Sequence, residues 1–177
     1  MSLKKIIALN RLGRVLWHVV WLMLYRPTPR SFHLWRCFLL RLFGAKIGKG
    51  AHPYPSAKIW APWNLEMADH SCLSEYVDCY SVDKIHIGAH AVVSQYVFLC
   101  TASHDYDDPE FPMVTAPINI GANAWVAADV FIGPGVTIGE GSVVGARSSV
   151  FKNVEAWTIV TGHPAKFIKN RNPINNT

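Results

Sequence analysis

Between residues 118 and 150 the chain repeats with a period of six. Ile or Val stands at every sixth position: Ile120, Val126, Ile132, Ile138, Val144 and Val150. The residue after it is Gly at 121, 133, 139 and 145, and Ala at 127. A second track runs two residues ahead, through Ile118, Ala124, Val130, Val136, Ser142 and Ser148. A helix repeats every ~3.6 residues and a strand every ~2, so neither gives this pattern. A short strand followed by a tight corner does. The branched residue is expected to point inward at each corner, with the small residue letting the backbone turn there. Three such units close a triangular coil, and stacked coils bury the inward row continuously. The period does not set the hand of the coil, and the general preference for right-handed crossovers argues against a left-handed one.

The repeat reaches back more weakly. Ile87-Gly88, Val93 and Leu99 are in phase with one another. Met67, Leu73 and Cys79 form another set, with two extra residues before Ile87, and Ile47-Gly48 with Ile59 reads as a frayed first coil. Residues 101–117, TASHDYDDPEFPMVTAP, carry three prolines, four acids and no hexad. This loop must protrude from the coil, and a loop so long inside a compact domain is usually functional. Upstream lie two amphipathic helices. The first runs from Leu3 to Tyr25, with Arg11, Arg14 and His18 on one face and Leu12, Val15, Leu16, Val19 and Val20 elsewhere. Pro27 and Pro29 end it. Ser31 is expected to cap the second, Phe32 to Phe43, and Gly44 to close it. The division is a basic helical segment over 1–46, a β-helix over 47–165 with its loop at 101–117, and a basic tail over 166–177.

Charge is distributed unevenly. Residues 1–50 hold ten of the seventeen Lys and Arg and no acid; the first acid is Glu66. Such an arm meets something anionic or caps the open end of the coil. Nucleic acid is disfavoured, because Trp17, Trp21, Trp35 and many Leu and Phe residues are too apolar for a solvated recognition arm. A basic helix with an aromatic and aliphatic face reads instead as interfacial, giving residues 1–43 a peripheral membrane contact. The apolar run from Val15 to Tyr25 is far shorter than the ~20 residues of a spanning helix. The four cysteines, Cys37, Cys72, Cys79 and Cys100, form no CxxC pair. Reduced thiols and a cytoplasmic location, peripheral on the inner membrane, fit that spacing.

His104 stands at the start of the long insertion, in Ser103-His104-Asp105-Tyr106. Acyl transfer to a hydroxyl needs a base for the hydroxyl proton, and histidine suits that role near neutral pH. From position alone, a polar loop histidine without a role fits as well. No serine lies in a GxSxG setting and no Cys–His pair is suggested by spacing. Direct attack on an acyl donor is therefore favoured over an acyl-enzyme.

The motifs APWNL at 61–65, CTASHDYDDPEFP at 100–112, APINIGANAWVAADVFIGPGVTIGEGSVVGARSSV at 116–150 and GHPAKFIK at 162–169 resemble a known family. So does LFGAKIG at 42–48. The family is that of the hexapeptide-repeat, left-handed β-helix acetyltransferases. Within it the chain looks most like the colanic-acid-type exopolysaccharide (WcaF-like) and the maltose and galactoside O-acetyltransferases. The resemblance implies a mainly β protein: a left-handed parallel β-helix with N-terminal amphipathic helices and one protruding loop. It implies transfer of acetyl from acetyl-coenzyme A to a saccharide hydroxyl, free or lipid-linked, by a homotrimer without metal. His104 matches the general base. Trp125, Ala128, Ala146, Lys166 and Lys169 match cofactor-binding positions, although Trp125 would serve equally to pack between subunits and the lysines could be a solvated tail. Ser81, Asp83 and Asp105 fall where relatives hold the acceptor, with serine standing where an asparagine is usual. Serine or antibiotic O-acetylation is the nearest alternative. A zinc carbonic-anhydrase-like enzyme of the same fold, using His70, His86 and His90, and a non-catalytic scaffold are more distant ones.

Overall fold

The computed structural model describes residues 3–172, with side chains described from Asn10 onward. The side chains of Lys4 and Lys5 in the basic arm, and the end of the tail beyond residue 172, lie outside the described residues. A helix over Leu3–Val20 continues as a wider-wound turn over Trp21–Tyr25, and a second helix spans His33–Leu42. Short strands joined by tight turns follow, wound into a triangular prism, with one 3-10 turn at Pro62–Asn64.

Three parallel sheets form the faces. The first stacks Lys46–Ile47, Leu65–Met67, Ile85–Ile87, Ile118–Ile120 and Thr137–Ile138. The second stacks His52–Pro53, Cys72–Leu73, Val92–Val93, Trp125–Val126, Val143–Val144 and Thr158–Thr161, and Lys166–Asn170 adds antiparallel to its end. The third stacks Lys58–Ile59, Asp78–Tyr80, Phe98–Cys100, Phe131–Ile132 and Ser149–Val150. Register follows the six-residue period. Ile47, Met67, Ile87, Ile120 and Ile138 stack on the first face. Leu73, Val93, Val126 and Val144 stack on the second. Ile59, Cys79, Leu99, Ile132 and Val150 stack on the third. From Met67 upward these residues are all within 2% of complete burial. The core is thus three columns of branched side chains, each coil covering the last.

The second track is buried as well, and its serines show why a polar residue is tolerated there. Ser142 donates its hydroxyl to the Gly139 carbonyl at 2.7 Å, and Ser148 to Gly145 at 2.6 Å. Each side chain closes the corner preceding its own strand, leaving no unpaired polar group.

The corners are built differently from the sequence expectation. The branched residue ends a flat strand, and the left-handed turn falls three residues later, at Asn123, Asp129, Gly135, Gly141 and Arg147, with φ between +57° and +77°. The residue after the branched position is small for another reason. A Cβ on Gly121 would lie 2.5 Å from the Glu140 nitrogen of the next coil, so backbone stacking leaves no room for one.

The first coil has no coil beneath it, and its outward carbonyls need donors. The N-terminal helices supply one to each face. Arg41 donates to the Ile47 carbonyl at 2.8 Å on the first face. Fully buried Arg36 donates to Pro53 at 2.7 Å on the second. On the third, Trp17 donates its indole N–H to Ile59 at 2.7 Å and Trp21 donates to Ala57 at 2.9 Å. The capping side of the first helix is therefore Trp17, Trp21 and Tyr25, all buried, while Leu12, Val15, Leu16 and Val19 are exposed. Aliphatic side chains cannot satisfy a carbonyl; indoles can. Ser31 does not cap the second helix through its side chain. Phe32 holds that position, and Ser31 accepts the His33 N–H through its carbonyl at 2.9 Å. Gly44 closes the helix with φ +87° as expected.

Candidate active site

The insertion at 101–117 is a β-hairpin, not an irregular loop. Ala102–His104 pairs antiparallel with Met113–Thr115, in the register Ala102 to Thr115 and His104 to Met113. Its root is fastened to the coil below. Buried Thr101 donates its hydroxyl to the Tyr80 carbonyl at 2.8 Å and accepts the Asp83 N–H at 2.9 Å. Thr115 donates to the Asp83 carboxylate at 3.1 Å. Asp83 thus holds the base of the hairpin. Asp105, at the tip, accepts the Asp107 N–H at 3.2 Å and folds the turn.

His104 is exposed, and its ring is held on two sides. It stacks on Phe111 with centroids 4.4 Å apart and planes 7° from parallel. Its Nδ1 lies 2.9 Å from the Phe111 carbonyl oxygen. A carbonyl only accepts, so Nδ1 carries the hydrogen and Nε2 keeps its lone pair free. That is the tautomer a general base requires, with the carbonyl as the third, orienting group. Phe111 reaches this position with φ +47°, a conformation few large residues adopt.

Beside the hairpin is a cleft of about 240 Å³. Trp60, Trp63, Asn64 and Arg14 line it, and Met113 closes one side. Directly opposed residues of an antiparallel pair project to the same side, so His104 shares that side with Met113. The Arg14 guanidinium sits 4.9 Å above the Trp60 ring. Asn64 is fixed by donating to the Ser81 and Val82 carbonyls at 3.1 and 2.9 Å. Aromatic rings, an amide and a cation suit a polyhydroxy ligand. Ser81 lines the same cleft; it is fully buried, and its hydroxyl accepts the Ala61 N–H and donates to the Ala61 carbonyl at 3.0 and 3.1 Å. Of the cleft residues Ala61, Trp63 and Asn64 fell in a motif legible in the sequence, and Ser81 was singled out there. Trp60 carried no signal of its own, and Phe111 and Arg14, although in a motif and on a basic helix face, gave no sign of these roles, which depend on the hairpin and the first helix.

The residues assigned to the cofactor lie elsewhere on the prism. Trp125 projects from the second face, about half exposed, and donates its N–H to the Ser94 hydroxyl at 2.9 Å. Ala128 and Ala146 stack at the corner between the second and third faces, where Arg147 donates its N–H to the Ala128 carbonyl at 2.9 Å. Lys166 and Lys169 lie exposed on the strand that ends the second face. His104 rises from the corner between the third and first faces. One chain alone does not bring the base and these five residues together. The three histidines of the zinc alternative also separate: His70 stacks on His90 at 5.0 Å, while His86 faces Glu66 at 3.7 Å on the first face.

Comparison with known proteins agrees with this architecture. Residues 117–152 match the bacterial transferase hexapeptide model of six repeats. A protein of Escherichia coli K12 named as a colanic acid biosynthesis acetyltransferase, WcaF, is 48% identical over 162 residues, covering 92% of this chain and 89% of the relative. An acetyltransferase of Vibrio cholerae O1 biovar eltor, solved in complex with acetyl-coenzyme A, superimposes with a TM-score of 0.80 at 25% identity. That match covers 92% of this chain and 89% of the other. A maltose O-acetyltransferase from Clostridium difficile 630 shares the fold, with a TM-score of 0.79 at 24% identity over 93% and 89%. With near-half identity along almost its whole length, and with the repeat matched where the columns stack, the chain belongs to the hexapeptide-repeat acetyltransferase family.

Proposed function

We propose that this protein transfers acetyl from acetyl-coenzyme A to a hydroxyl of a saccharide in exopolysaccharide biosynthesis. The observation that carries this reading is His104, its Nδ1–H held by the Phe111 carbonyl and its Nε2 left free, in register with Met113, which lines an aromatic cleft. Nε2 takes the proton of the acceptor hydroxyl as its oxygen attacks the thioester carbonyl. The Phe111 carbonyl stabilises the imidazolium that forms. When the carbon–sulfur bond breaks, the proton passes from Nε2 to the leaving thiolate, and His104 returns to its starting state. Trp60 and Trp63 offer ring faces to sugar C–H groups, and Arg14 with Asn64 offers polar edges. Asp83 and Asp105 act by holding the hairpin.

The donor is read as lying along the corner of Ala128 and Ala146, walled by Trp125, with Lys166 and Lys169 near its phosphates. Because these residues and His104 occupy different edges, we read the working unit as a homotrimer with each site shared between two copies. The four free thiols support a cytoplasmic location. No helix among the described residues is long and apolar enough to cross a membrane. Contact of residues 1–43 with the inner membrane is thus read as peripheral.

The test is release of coenzyme A thiol with saccharide acceptors. His104→Ala should lower kcat by roughly 10²–10⁴-fold with folding intact. Near-normal turnover in that variant overturns the assignment of the base. Turnover with serine or an antibiotic, and none with saccharides, overturns the acceptor.

A further inference from the structure

The corner between the second and third faces carries a column of residues spaced by twenty: Ser56, Tyr76 and Tyr96. Each stands between a strand of the second face and a strand of the third, in successive coils. Tyr76 and Tyr96 are both more than half exposed and stack with centroids 5.1 Å apart and planes 4° from parallel. The stack stops at Ser56, whose side chain is too short to add a third ring. Its hydroxyl oxygen accepts the Tyr76 N–H at 3.0 Å, and its own hydrogen has no acceptor among the described residues. At this level a cavity of about 210 Å³ opens between the column and the turn that ends the first helix.

The walls of the cavity differ in chemistry. Tyr76 presents the ring face that Tyr96 leaves uncovered. Trp21 and Arg26 stand on the helical side, the guanidinium 5.3 Å from the indole centroid. The Trp21 N–H is already donated to the Ala57 carbonyl, so Trp21 offers only its ring. Arg26 forms no ion pair among the described residues. Lys58 and Asp78 line the cavity as a pair, with Nζ 3.4 Å from Oδ2, and Asp78 Oδ1 accepts from no described residue.

We infer that this cavity binds a nucleoside phosphate. The base stacks on Tyr76 where a third ring of the column would lie, the ribose hydroxyls meet Asp78 and Ser56, and the phosphate meets Arg26. A base suits the open ring face, since stacking on aromatic side chains holds bases of any identity. A carboxylate accepts from a ribose diol, and a guanidinium without a partner suits phosphate oxygens. The cavity is smaller than the ~300 Å³ of the smallest ordinary ligand sites, so the pyrimidine ring is the better fit. Other occupants leave groups unused: a free sugar brings no anion to Arg26, and a hydrocarbon chain brings no donor to Asp78. The positions read as holding the donor, Ala128 and Ala146, stand on the same corner in the coils above Tyr96. The inference goes beyond the acetyl transfer proposed above and does not rest on it.

The experiment titrates the full chain calorimetrically with uridine 5′-diphosphate. Binding should saturate at one per chain, at least tenfold more tightly than either uridine or inorganic diphosphate. Tyr76→Asn should weaken it at least tenfold. Tyr76 has φ +58°, which asparagine tolerates, so an unchanged thermal melt separates lost binding from lost folding. Arg26→Gln should weaken it similarly and reduce its dependence on salt. Ser56→Phe, which fills the place of the third ring, should abolish it. Saturating coenzyme A should leave the titration unchanged. Absence of saturable binding overturns the inference, as does equal affinity for the diphosphate and its two halves. Binding that both Tyr76→Asn and Arg26→Gln leave intact overturns it as well. Displacement of the probe by coenzyme A overturns it in favour of the donor site. Acetyl transfer is not the readout, so failure of the saccharide reading would leave this result standing.

Discussion

Trp17→Phe isolates what the N-terminal helices contribute to the β-helix. The Ile59 carbonyl lies at the bottom edge of the third face, and the Trp17 N–H at 2.7 Å is its partner. Trp17 is 2% exposed, so water does not replace the lost donor readily. A buried carbonyl left without a partner costs about 1–3 kcal/mol. Phenyl also has two fewer carbons than indole, at about 0.8 kcal/mol for each buried group of that size. The expected loss is therefore about 3 kcal/mol. For a chain of this length that lowers Tm by roughly 6–12 °C. Urea denaturation at fixed protein concentration, followed by circular dichroism, measures it. Leu16→Ala on the same helix is the control: Leu16 is 56% exposed, and its loss should stay within about 0.5 kcal/mol. If Trp17→Phe falls within about 1 kcal/mol of the parent, the helix does not cap the coil through its indoles, and the account of the first coil fails.

Neutralising Lys166 and Lys169 together should raise KM for acetyl-coenzyme A and leave the acceptor KM nearly unchanged; an effect confined to the acceptor would refute the phosphate role. Gly121→Ala places a Cβ 2.5 Å from the Glu140 backbone nitrogen and should cost about 1–3 kcal/mol in urea. Gly133→Ala meets nothing nearer than the edge of Phe151, at 3.3 Å, and should cost clearly less. Burial pushes the Cys79 thiol up to about 12 from an ordinary value near 9. Ionisation is then available in the unfolded chain before the folded one, so stability should be unaffected below pH 9 and fall between pH 9 and 12. Burial also raises Tyr25, which adds to the same slope. Cys79→Ala should make the alkaline fall shallower, and an unchanged slope would refute the linkage.

The six-residue period was sufficient to determine the prism. A spacing of six sends successive branched residues to three faces in turn, and a chain that obeys it for six units buries all of them only by stacking coils. The weaker sets at 67–79 and 87–99 belong to the same columns, and their two extra residues are taken up at a corner. His104 was legible as a base candidate because its insertion interrupts so regular a pattern. Its tautomer was not legible. That depends on the Phe111 carbonyl, seven residues away and brought back by the hairpin register. Ser81 shows a related limit: it was legible as a residue near the site, and only tertiary structure shows it lining the cleft with its hydroxyl bonded to Ala61 twenty residues earlier. The helical segment shows the same limit. Hydropathy marks its aliphatic residues as the side to bury, yet the buried side is Trp17, Trp21 and Tyr25. The open end of a β-helix presents carbonyls, and a sequence read by apolar spacing alone carries no record of unpaired acceptors on the element it will meet. Local periodicity settles what repeats. The meeting of base, cleft and cap is settled by residues far apart in the chain, through contacts that no local pattern encodes.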